Sequence, residues 1–162
     1  MSNSKMDHVT VESVRAPTDE VRDLIVALDR TLAGEYSAEQ RHGLSLESIF
    51  QPHVRFFIAR LDGTAMGCGG VALFETFAEV KRMYVRDDVR GRGIGRALLE
   101  RIEAEARESG QGVLRLETGD RQIAAMQLYE RAGFRSCEAF GDYAAMTPAQ
   151  IATSVFMEKP LV

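Results

Sequence analysis

The residues with the clearest chemical capacity are Arg90-Gly91-Arg92-Gly93-Ile94-Gly95 and the Arg96 that follows. Glycines at alternate positions let backbone N–H groups turn outward, and the apolar spacing beyond them starts a helix. A helix start carries unpaired N–H donors and a partial positive charge, which together receive an anion. The guanidinium forks of Arg90, Arg92 and Arg96 match phosphate oxygens in pairs. The expected ligand is a phosphate or pyrophosphate.

Two other phosphate loops do not fit these letters. The dinucleotide fingerprint requires glycine three residues beyond its second glycine, where this chain has Arg96. The P-loop requires a Gly-Lys-Ser or Gly-Lys-Thr ending, and no such run occurs.

The elements that must position the loop follow from periodicity. Upstream, Val54 to Arg60, Ala65 to Phe74 and Phe77 to Val85 read as three consecutive antiparallel strands, the first two joined by an Asp62-Gly63 hairpin turn. The cluster Gly67, Gly69 and Gly70 predicts a bulge or the close approach of another group. Downstream, Ile94, Leu98, Ile102 and Ala106 recur every four residues and predict a helix ended by Gly110 and Gly112. Val113 to Thr118 then returns as a strand, and a strand-helix-strand crossover implies parallel pairing with the strand before the loop.

At the N-terminal side, His8 to Arg15 suits a half-buried or edge strand, and Pro17-Thr18-Asp19 opens a helix with an apolar stripe of Val21, Leu24, Ile25, Leu28 and Leu32, ended by Gly34. Glu35 to Pro52 reads as a mixed loop with Ser37 and Ser45 as caps, and forms a wall of the site. At the C-terminal side Asp120 is an N-cap for a helix closing at Gly133. A strand begins at Phe134, a polar loop spans Gly141 to Gln150, and Ile151 to Glu158 is the last strand. That apolar strand could pair across a homodimer.

With 162 residues the chain fits one domain, residues 1–162, with 1–7 as a flexible tail. Hydrophobic content of 45% and charged content of 27% are those of a globular protein, and no apolar run approaches bilayer length. The polar N-terminus lacks the apolar core of a signal peptide, so the expected location is cytoplasmic, with no membrane partner. A net charge of -4 argues against nucleic-acid binding. Cys68 and Cys137 stand far apart without a metal-binding or CxxC spacing, so no metal is expected and both read as reduced, buried thiols.

The arginine-x-x-glycine-x-glycine run, preceded by a strand ending Met83-Tyr84-Val85, resembles the pyrophosphate loop of the GCN5-related N-acetyltransferase (GNAT) family. A second block resembles the same family: Leu114-Arg115-Leu116-Glu117-Thr118, then Ala125-Met126-Gln127-Leu128-Tyr129 through Gly133-Phe134. The resemblance implies an α/β (α+β) acyl-CoA N-acyltransferase fold, a mixed, mostly antiparallel splayed sheet flanked by helices. It also implies acetyl-CoA as cosubstrate, held by Met83, Tyr84, Val85, Arg90, Gly91, Arg92, Gly93, Ile94, Gly95 and Arg96. The implied reaction is direct transfer of acetyl to a primary amine of a small molecule or amino acid. A protein or peptide acceptor, and a non-catalytic acyl-CoA sensor, are the alternatives.

By the same resemblance, the Val85 N–H polarises the thioester carbonyl and Tyr129 donates a proton to the departing sulfur. For the base, Glu79 on the pre-loop strand is the leading candidate, with Glu117 on the neighbouring strand. Strand alternation puts Glu79, Lys81 and Met83 on one face unless a bulge intervenes. Glu35, Tyr36, Glu117, Asp142 and Tyr143 are the candidate acceptor contacts. Arg121-Gln122 stands where many relatives have an asparagine-containing turn touching the cofactor.

Overall fold

The structure, a computed structural model, describes residues 7–162. The expected N-terminal tail therefore lies, except for Asp7, outside the described residues. Seven strands form one mixed sheet: β1 (Val9–Val14), β2 (Val54–Leu61), β3 (Thr64–Leu73), β4 (Ala78–Val85), β5 (Val113–Gly119), β6 (Arg135–Ser136) and β7 (Ser154–Pro160), in the order β1-β2-β3-β4-β5-β7-β6. Helix α1 (Asp19–Glu35) packs on one face, while α2 (Ile94–Glu108) and α3 (Ile123–Arg131) pack on the other. This is the expected acyl-CoA N-acyltransferase fold.

Local chemistry accounts for most element boundaries. The Thr18 hydroxyl caps α1 by accepting the Val21 N–H at 3.3 Å, and Val21, Leu24, Ile25 and Leu28 form its buried stripe. The β2–β3 hairpin closes through Asp62 and Gly63, both at positive φ (50° and 89°), as its two-residue turn requires. Helices α2 and α3 end in left-handed glycines, Gly110 and Gly133, with the Gln111 and Phe134 N–H groups reaching back to the Ala106 and Tyr129 carbonyls at 3.0 Å.

Beyond shifts of a residue or two at strand ends, three boundaries differ from the sequence reading. Helix α1 runs through Gly34 to Glu35, because the Tyr36 N–H still finds the Leu32 carbonyl at 2.8 Å. The cap of α3 is Gln122 rather than Asp120, whose carboxylate instead accepts from the Tyr36 hydroxyl. Strand β7 starts three residues later than expected and lies between β5 and β6, so a copy pairing along it would have to displace β6 over Met157–Glu158.

The decisive geometry is in β3, β4 and β5. Strands β4 and β5 run parallel but pair only at Ala78↔Leu114 and Glu79↔Arg115, then diverge, while β5 stays paired with β7 along its whole length. Between Cys68 and Gly70 the β3–β4 register slips, and Arg82 takes a left-handed φ of 53°. That is a bulge in β4. It changes the expected facing. Glu79 and Lys81 point to the α1 side, Arg82 joins them to reach Asp29 of α1, and Met83 turns to the α2 side. Correspondingly, a methyl at Gly69 would meet Met83 Sδ at 2.7 Å.

The clustered glycines of β3 mark close approaches. An added methyl at Gly67 would lie 2.9 Å from the Tyr84 carbonyl, and one at Gly70 would lie 2.8 Å from the Arg55 carbonyl and 2.9 Å from the Phe56 ring. The Arg55 oxygen belongs to a central strand and has little freedom to retreat. Gly70→Ala should therefore destabilise by about 2 kcal/mol, the scale of a forced overpacking, measured by urea unfolding. A midpoint equal to wild type would contradict that packing.

Candidate active site

Divergence of β4 from β5 opens a cavity of about 110 Å³ between them. Strand β4 supplies Glu79, Lys81, Arg82 and Met83, strand β5 supplies Glu117, and α3 supplies Tyr129. Tyr36, His42 and Tyr143 close it from the loops. Among the candidates from sequence, Glu79, Tyr36, Glu117, Tyr129 and Tyr143 thus converge on one space. Glu35 and Asp142 do not line it. Glu35 accepts at 2.5 Å from Nε2 of Gln122, which does line it, and Asp142 is exposed.

Glu79 is buried, and both neighbours bind the same oxygen. Lys81 Nζ lies 2.8 Å from its Oε2, and the Tyr143 hydroxyl donates to that oxygen at 2.7 Å while accepting from Lys81 at 3.1 Å. Burial, then the charge of Glu79, pushes the Tyr143 phenol well above its ordinary range. This triad is a neutralised internal pair. Lys81 was legible only as a charge near Glu79, because its partner Tyr143 comes from a distant loop.

Glu117 has a different environment. Its Oε2 accepts the Ser154 hydroxyl at 2.6 Å. Burial raises its carboxyl above the ordinary value, opposed by that hydrogen bond and by the nearby positive potential of His42 and Lys81. Tyr129 is 4% exposed, its ring stands edge-on to Phe134 at 5.8 Å, and its hydroxyl has no hydrogen bond among the described residues. Burial, then the Glu117 charge, pushes the Tyr129 phenol far above its ordinary value. Cys68, by contrast, is wholly enclosed with its thiol pushed up to about 12, so it stays protonated and offers no nucleophile.

The strand edge and the loop complete the arrangement. The Arg86 N–H bonds the Met66 carbonyl at 2.9 Å, and directly opposed residues alternate between bonded and unbonded pairs in an antiparallel ladder. Val85, opposite Gly67, therefore presents its N–H and carbonyl on the other edge, toward the gap. Gly91 and Gly93 have φ of 82° and 83°, and an added methyl would touch nothing at either. Gly95 differs, because a methyl there would lie 2.9 Å from Leu128, so this glycine lets α2 and α3 approach. Gly93 precedes the first turn of α2, whose leading N–H groups are free of intrahelical partners.

Arg90 pairs with Asp87 at 2.7 Å, Arg92 with Asp7 at 3.7 Å and Arg96 with Glu100 at 3.0 Å. These are exposed pairs worth about 0–1 kcal/mol each, so a pyrophosphate can compete for the guanidiniums. The turned-out loop and the open strand edge suit a long ligand with a diphosphate at one end and an amide-bearing arm at the other.

At the far end, α1 is tied across the cleft. The Tyr36 hydroxyl accepts the Arg121 N–H at 2.7 Å, and Arg121 Nη1 donates to the Glu35 carbonyl at 3.3 Å. A methyl at Gly119 would overlap the Tyr36 hydroxyl. Periodicity gave no sign of this latch, because its partners are 85 residues apart.

A splayed sheet with a phosphate-ready helix start at the mouth of the splay defines an acyl-CoA-dependent acyltransferase. Residues 20–134 match the model of the acetyltransferase (GNAT) family. The chain is 44% identical over 158 residues to the IAA acetyltransferase of Azospirillum brasilense, covering 96% of this chain and 100% of that one. It is also similar to a crystal structure from Klebsiella pneumoniae, at 38% identity and a TM-score of 0.74 over 95% of this chain and 98% of that one. A GNAT acetyltransferase from Elizabethkingia anophelis, with acetyl-CoA bound, shares the fold at 19% identity and a TM-score of 0.68, over 94% and 97% of the two chains. The chain belongs to the GNAT acetyltransferase family. It is an acyltransferase. Among the described residues no helix is long and apolar enough to cross a membrane.

The raised Glu117 carboxyl has a consequence for stability. In the unfolded chain it titrates near about 4.3, so its contribution to folding is intact below that pH and is lost as pH climbs through the higher folded-state value. Glu117→Gln removes that loss. Its Tm relative to wild type should rise between pH 4 and pH 8, and a difference constant across that range would contradict the assignment.

Proposed function

We propose that the chain transfers acetyl from acetyl-CoA to a primary amine of a small molecule or amino acid, by direct attack within a ternary complex. The observation that carries this reading is the convergence of Glu117, Tyr129 and the unpaired edge of β4 on one small cavity. Its volume and the Tyr36 latch across one end support a compact acceptor over a peptide or protein.

Acetyl-CoA supplies the acetyl thioester. The loop from Arg90 to Arg96 holds the diphosphate, and the β4 edge from Met83 to Val85 holds the arm, with Tyr84 packed beneath on the α1 side. An incoming ammonium must lose a proton before it can attack. A general base works best with a pKa near the working pH, and burial moves Glu117 in that direction. Glu79 already has its Oε2 engaged by Lys81 and Tyr143, which supports Glu117 over Glu79 as the base and leaves Glu79 as a charge partner.

The Val85 N–H then stabilises the oxyanion as the nitrogen–carbon bond forms. When the carbon–sulfur bond breaks, Tyr129 faces a thiolate. A phenol raised above its usual value of about 10 does not give up its proton fully to a thiolate whose acid has a pKa of about 8.5. Tyr129 therefore acts as a hydrogen-bond donor to the sulfur, and the proton that ends on sulfur originates on the amine.

Thiol release from acetyl-CoA over a panel of amines tests this reading. Acceptor-dependent turnover is expected, with kcat about 100-fold lower in Tyr129→Phe and the acid limb of kcat/KM lost in Glu117→Gln. Turnover unchanged in either variant removes that residue's role, and acetyl-CoA binding without turnover on any amine favours a sensor. For the loop, Gly93→Glu should weaken acetyl-CoA binding at least tenfold by calorimetry, while Gly93→Asn, which tolerates positive φ, should weaken it less. Equal affinities for both variants and wild type would contradict the loop's role.

A further inference from the structure

The two walls of the cavity differ in charge. Arg41, Lys81 and Arg82 line the side made by β4 and the 41–43 loop, whereas among the described residues Glu117 is the one charged group on the side made by β5 and α3. Two of the three cations are compensated, Lys81 by Glu79 and Arg82 by Asp29. Arg41 is not. Its side chain, exposed at the edge of the cavity, donates only to the Ser37 carbonyl, at 3.4 Å, and no carboxylate among the described residues pairs with it. Lys81 has three N–H donors and uses two of them, on Glu79 and the Tyr143 hydroxyl, with its side chain only 11% exposed.

An uncompensated guanidinium at a small cavity, backed by an ammonium with a spare donor, favours an anionic oxygen pair on the ligand. We infer that the acceptor is an amino acid whose carboxylate sits against Arg41 with Lys81 behind it, while its amine faces Glu117 and Tyr129. This rests on the amine-acetylation reading and narrows its substrate class. Neutral amines and amines carrying a second cation would meet the same wall without a partner for Arg41.

The test presents acceptors in matched pairs, each amino acid against its own primary amide, glycine with glycinamide and β-alanine with β-alaninamide among them. Since the amides have the less basic amines, more of each is unprotonated at neutral pH, and a preference for the acids is the harder result to obtain. By kcat/KM the acids should be preferred by about tenfold, with the ratio falling in Arg41→Met and inverting in Arg41→Glu. Amides turned over as fast as acids by wild type, or a ratio unmoved in both variants, would overturn the inference. If no amine of either series is acetylated although acetyl-CoA binds, the amine-transfer reading fails on its own. The carboxylate subsite is then judged by titrating propionate and propionamide into the enzyme–coenzyme A complex. Propionate binding that is lost in Arg41→Met upholds it, and equal or absent binding of the two overturns it.

Discussion

Everything in the site depends on β4 and β5 parting after two residue pairs. A parallel pair that continued would satisfy the inner edge of β4 and close the sheet. Because β5 is held along its full length by β7, while β4 is bent by the bulge at Arg82, the two cannot stay together. The unpaired edge that results would be a liability on a surface strand. Here it faces a cleft that a coenzyme arm can fill. The left-handed Arg82 is held by its ion pair to Asp29 and by the Gly43 backbone, where a side chain would overlap the guanidinium. Helix α1 and the loop after it therefore help set the strand proposed to receive the donor.

The same divergence gives two carboxylates on one face different environments. Glu79 sits where the strands still touch and is neutralised by Lys81 and Tyr143. Glu117 sits two residues farther along β5, where the gap is open, with a single hydroxyl on one oxygen and its carboxyl raised by burial. Position along the splay, rather than residue type, separates a carboxylate neutralised by two partners from one that keeps a single hydroxyl and is raised by burial.

Much of this was legible in the sequence, and the reasons are local. Pro17-Thr18-Asp19 as a helix start, the Asp62-Gly63 turn, the four-residue stripe of α2 and the glycines that end both later helices each act within a few residues, so their letters suffice. The glycine turn into α2 was legible for the same reason, since Arg90 to Gly95 is one continuous segment. The facing of Met83 was not, because one extra residue in β4 reverses the alternation and only the register against Gly69 reveals it. Lys81, His42 and Ser154 entered the site through partners drawn from distant elements. Tyr36 and Arg121 meet across most of the chain. Asp120 looked like a cap, and its carboxylate goes to Tyr36 instead.

The account stands on the open edge of β4 and the glycine turn receiving the donor together. Backbone amide resonances recorded with and without acetyl-CoA report on both at once. Val85 and the N–H groups from Gly91 to Gly95 should shift and gain protection from exchange when acetyl-CoA is added, with Arg86, already bonded to Met66, largely unmoved. Saturating acetyl-CoA that left Val85 and the 91–95 amides unchanged while perturbing other segments would contradict it.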